Sequence, residues 1–175
     1  MQTSIWKNLI RFVFLILLQG MVLEHIDLPG NLHAMVYPIA ILLLPLQASS
    51  AVVLLSAFTA GLCVDLFCQV PGLNAAAATC MAFVRVVYMR LKNRRDTGRD
   101  NDMNGTPLPS QMGWGGFIFY TLWCVFLFHL SYFMLDAFSL KNILYPLYLA
   151  VGSSLVCILC TVLTVTVFKP KTNTR

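Results

Sequence analysis

The stretch FIFYTLWCVFLF, residues 117–128, decides the fold. Thr121 is its lone polar member, so it offers apolar side chains in every direction. A half-buried strand would alternate apolar and polar residues, and a membrane-spanning β-barrel imposes the same period of two. The runs Ile41 to Leu44 and Val52 to Leu55 do not alternate either. The remaining structure that satisfies every backbone group in lipid is the α-helix. The sequence therefore predicts helices that are apolar all round.

The composition agrees. Of 175 residues, 58% are hydrophobic and 11% charged, with a mean hydropathy of +0.76. A soluble domain is about one quarter charged, so this chain has too little polar material to face water on all sides. A crossing of the roughly 30 Å hydrocarbon layer uses about 20 residues, and six would take about 120. The expectation is an all-α, polytopic membrane bundle of about six helices, forming one domain over residues 1–175.

Working outward from residue 117, the expected spans lie at about 6–26, 32–47, 50–69, 73–91, 115–138 and 143–168. The first apolar run, between Arg11 and Glu24, spans if its flanking side chains snorkel. A cleaved signal peptide competes, but Glu24, His25 and Asp27 stand where a small-residue cleavage site would follow, which favours the uncleaved helix. In the second span Pro38 and Pro45 each remove a backbone donor, so that helix is expected to be short, kinked or tilted. Pro71 and Gly72 separate the third span from the fourth. The fourth opens with alanines that permit close helix approach. Residues 92–114 form the one sizeable polar loop, rich in basic residues between Lys92 and Pro109, and Lys169 opens a polar tail.

Charge sets the expected orientation. With both termini and the 92–114 loop in the cytoplasm, Lys7, Arg11, Arg85, Arg90, Lys92, Arg94, Arg95, Arg99, Lys169, Lys171 and Arg175 all fall on or near that side, leaving Lys141 outside. Glu24, Asp27, Asp65 and Asp136 go to the opposite face. Such sorting follows the positive-inside rule and closes with an even number of spans. The net charge of +5 thus reflects topology and contact with anionic lipid, and gives no reason to invoke nucleic acid. Asn104-Gly105-Thr106 matches a glycosylation acceptor, but on the cytoplasmic side the match is accidental.

Ionisable groups inside a span are costly and draw attention first. Asp65 lies four residues after Gly61, on about the same helix face. It reads equally as a carboxylate structuring the bundle or a partner site, and as an interfacial group wetted by headgroups. Arg85 reads chiefly as a snorkelling side chain, and otherwise as a partner for a phosphate, a carboxylate or a helix end. Gln19, deep in the first span, calls for an interhelical hydrogen bond. Cys157 and Cys160 have C-x-x-C spacing without a second pair or a nearby His, so small apolar fillers is the better reading than a metal site. Cys63, Cys68, Cys80 and Cys124 predict no disulfide. His25, His33 and His129 stand apart from any catalytic motif. The aromatic residues Trp114, Phe117, Phe119, Tyr120 and Trp123 read as an interfacial belt and lipid-facing surface. No catalytic residue, metal ligand or cofactor is expected.

Several of these residues carry a resemblance. Gln19 in the first helix, Leu44-Pro45 ending a proline-bent second, then Gly61, Leu62, Asp65, Leu66, Phe67, Gly72, Leu73, Asn74, Ala75 and Ala76 resemble the rod shape-determining membrane protein family MreD. The likeness covers roughly residues 8–90; the last two spans match in length and hydropathy alone, and the basic loop is longer than the family leads one to expect. The resemblance implies a non-enzymatic scaffold of the cell-elongation complex in the bacterial cytoplasmic membrane. It would bind MreC and couple MreB filaments to peptidoglycan synthases such as RodA and its transpeptidase. It also implies a fold like the substrate-binding S components of energy-coupling-factor transporters, which by itself confers no ligand. The residues expected to shape the bundle or a partner-facing groove are Gln19, Pro38, Pro45, Gly61, Asp65, Gly72, Asn74 and Arg85. The alternative is a substrate-binding subunit of a small-molecule transporter. An intramembrane enzyme would need paired carboxylates or a His-based site, and the sequence offers neither.

Overall fold

The computed structural model describes residues 2–21, 30, 32–70, 72–95, 106–138 and 143–167. Among them the chain is helical, without a β-strand: α1 (Gln2–Met21), α2 (Pro38–Leu42), α3 (Ser50–Cys68), α4 (Leu73–Arg95), α5 (Pro109–Met112), α6 (Trp114–Ala137) and α7 (Leu144–Val167). Glu24, His25, Asp27, Asn104, Gly105, Lys141 and the tail from Lys169 lie outside the described residues, as do residues 22–26 of the first expected span and 96–105 of the basic loop.

Three stretches are long and apolar enough to cross a membrane: Ser50–Cys68, Trp114–Ala137 and Leu144–Thr166. Phe12–Met21 is a shorter apolar helix. In α4, Asn74, Arg85, Arg90 and the basic end dilute the apolar character. Within the region expected to be loop, α4 continues to Arg95 and α5 forms a single turn.

The long helices pack in sequence: α1 on α3, α3 on α4, α4 on α6 and α6 on α7. Helices α3 and α4 are antiparallel, since Asp65 meets Asn74 at one end and Arg90 meets Ser50 at the other. Glycine permits the closest approach. A Cβ at Gly61 would stand 2.6 Å from the Ala75 amide nitrogen and from the Asn74 carbonyl oxygen. The small face of α3 therefore seats directly on the backbone of α4.

The second expected span is corrected. Residues 32–47 are helical over Pro38–Leu42 alone, entered by irregular chain and left through turns. The prolines explain this. Proline fits the first turn of a helix, where Pro38 sits, but in the interior its ring would meet the carbonyl four residues earlier. Pro45 would meet Ile41 in that way, so any helix is confined to the short interval between the two.

This short segment nevertheless runs along the bundle. The Tyr37 hydroxyl donates to the Asn74 carbonyl, at the start of α4, over 3.2 Å. Seven residues later the Leu44 carbonyl accepts from Arg85, 11 residues further along α4, or about 16 Å at the helical rise. On α6 the His33 ring lies 5.7 Å from Phe133, while the Leu42 carbonyl accepts from Tyr120 at the other end. Residues 35 to 43 are all buried, with Tyr37, Ile39 and Ile41 at 0% exposure. An element buried on every side is enclosed by its neighbours, and this one forms the centre of the molecule.

Candidate functional site

Non-helical backbone inside an apolar bundle needs partners for its N–H and C=O groups. Here side chains from four of the enclosing helices supply them. From α1, the Gln19 Oε1 accepts the Val36 N–H at 2.7 Å. From α7, the Ser153 hydroxyl accepts the His33 N–H at 3.1 Å, and the Cys157 thiol donates to the Met35 carbonyl at 3.0 Å. From α6, the Tyr120 hydroxyl donates to the Leu42 carbonyl at 3.0 Å. From α4, the Arg85 Nη2 donates to the Leu44 carbonyl at 2.7 Å, with the Pro45 carbonyl 3.5 Å away.

Arg85 requires a second correction. It is 3% exposed and turned into the bundle, so it does not snorkel. The carbonyls released where α2 stops before Pro45 draw it inward, since a guanidinium offers several donors in a fixed fork. Its Nε, with Thr121 Oγ1 and His129 Nε2, is a buried polar atom lacking a hydrogen-bond partner.

Asp65 organises the other end. It is 5% exposed, and its two carboxylate oxygens accept the Asn74 and Ala75 N–H groups at 2.9 Å each. Amides in the first turn of a helix have no partner within it, and the helix dipole favours negative charge there. A carboxylate accepting both amides makes two charge-assisted bonds. The Asp65 backbone carbonyl also accepts from Gln69 and Val70 as α3 ends. One residue thus closes α3 and opens α4. Gly72 makes the turn between them with φ +77°, a conformation other residues rarely adopt. Gly61 admits the α4 backbone, and Tyr37 ties the junction to the central segment.

Gly61, Asp65, Gly72 and Asn74 therefore meet at one buried junction. Gln19, Pro38, Pro45 and Arg85 belong to the central segment and its supports. Tyr37, just before α2, and Ser153 on α7 also tie the central segment to its neighbours, and sequence reasoning did not single them out. Of the aromatic residues read as a belt and lipid-facing surface, Trp114, Phe119 and Trp123 are exposed, but Phe117 and Tyr120 are corrected to buried positions, Tyr120 serving as a donor to the central segment. Cys157, read as a filler, also acts as a donor. The six cysteines are free thiols, and no cluster of three or more His, Cys, Asp or Glu side chains able to hold a metal occurs among the described residues.

On the outer surface, α3 and α4 leave an open apolar groove of about 770 Å³. Leu54, Phe58 and Leu62 form one wall; Ala76, Thr79, Cys80 and Phe83 form the other. Compared with family models, curated proteins and solved structures, the chain finds no match.

Proposed function

We propose that this chain is a non-enzymatic, multi-pass scaffold of the MreD type in the bacterial cytoplasmic membrane. It binds MreC and helps couple MreB filaments to the peptidoglycan synthases, RodA and the elongation transpeptidase, that keep cells rod-shaped. The observation that carries this reading is the junction at Asp65. Of the residues on which the family resemblance rests, Gly61, Asp65, Gly72, Asn74 and Ala75 join α3 to α4, while Leu62, Leu66 and Phe67 face outward. Gln19, Asp65 and Arg85 are engaged in holding backbone, which suits a rigid body that presents surfaces to partners.

The test is depletion combined with affinity purification. Loss of the protein is expected to turn rod-shaped cells round, and the tagged protein is expected to bring down MreC. Rods of normal shape and an eluate free of MreC would overturn the proposal.

The broken helix around Pro38–Leu42 favours a second reading, a substrate-binding transporter subunit, because discontinuous helices line substrate sites in several transporter folds. Native mass spectrometry of the purified protein separates the two readings. A bound small molecule of constant mass supports the transporter subunit, and the bare chain supports the scaffold.

A further inference from the structure

We draw no further inference here: the strongest candidate, the open apolar groove between α3 and α4 walled by Leu54, Phe58, Leu62, Ala76, Cys80 and Phe83, carries nothing because nothing in the structure shows what covers it.

Discussion

Asp65 holds two backbone amides of α4 with one carboxylate, and that division of labour yields a sharp test. Asp65→Asn keeps the shape but turns an NH2 group toward one of the two N–H donors. A buried donor left unsatisfied costs about 1–3 kcal/mol. The variant is expected to melt at a lower temperature in detergent, and an unchanged midpoint would show that the carboxylate is dispensable. Gln19→Leu makes the same point at the central segment, since it strands the Val36 N–H and should cost about 1–3 kcal/mol. Circular dichroism melts of the two single variants and the wild type measure both losses. The sequence marks Asp65, Gln19 and Arg85 because a polar group stands out in an apolar run. It cannot mark what they bind, because their partners are backbone atoms of residues such as Val36, Leu44 and Asn74. Backbone atoms leave no trace in residue type, so Arg85 reads as a snorkelling side chain until the Leu44 carbonyl is seen to accept from it.

At the scale of elements, two glycines that look alike in sequence occupy different surroundings. A Cβ at Gly61 would run into the backbone of Asn74 and Ala75, which cannot yield without parting α3 from α4. A Cβ at Gly152 would meet mainly the end of the Leu32 side chain, which can rotate away. Overpacking in a tight core typically costs about 1–3 kcal/mol and sometimes more. Gly61→Ala is therefore expected to lower the melting temperature strongly and Gly152→Ala much less; equal effects would mean that α3 and α4 are not in backbone contact. Helices α3, α6 and α7 were legible because long apolar runs admit few alternatives. Residues 32–47 were legible as apolar and proline-broken, but hydropathy cannot tell a tilted helix from irregular chain around a short one. That distinction depends on hydrogen-bond partners at Gln19, Arg85, Tyr120 and Ser153, spread over more than 130 residues of sequence.

For the whole molecule, the proposed topology turns on the central segment. If residues 32–47 cross the membrane in their broken form, the proposed topology has six crossings, with both termini and the basic loop in the cytoplasm. If they do not cross, α3 and α4 run the other way, and Arg94, Arg95 and Arg99 move outside, against the positive-inside rule. The segment passes from the Asp65 end of the bundle to the Arg85 end, a path that supports the six-crossing arrangement. An alkaline phosphatase reporter fused at Gly30 is then expected to be active, and one fused after Arg175 inactive. Gln47 discriminates further, because it lies just beyond the segment at the Arg85 end and its side chain is exposed. In a cysteine-free background, Gln47→Cys should resist a membrane-impermeant maleimide added to intact cells and react once the membrane is opened. Labelling in intact cells would place residue 47 outside, remove the central crossing and reverse α3 and α4.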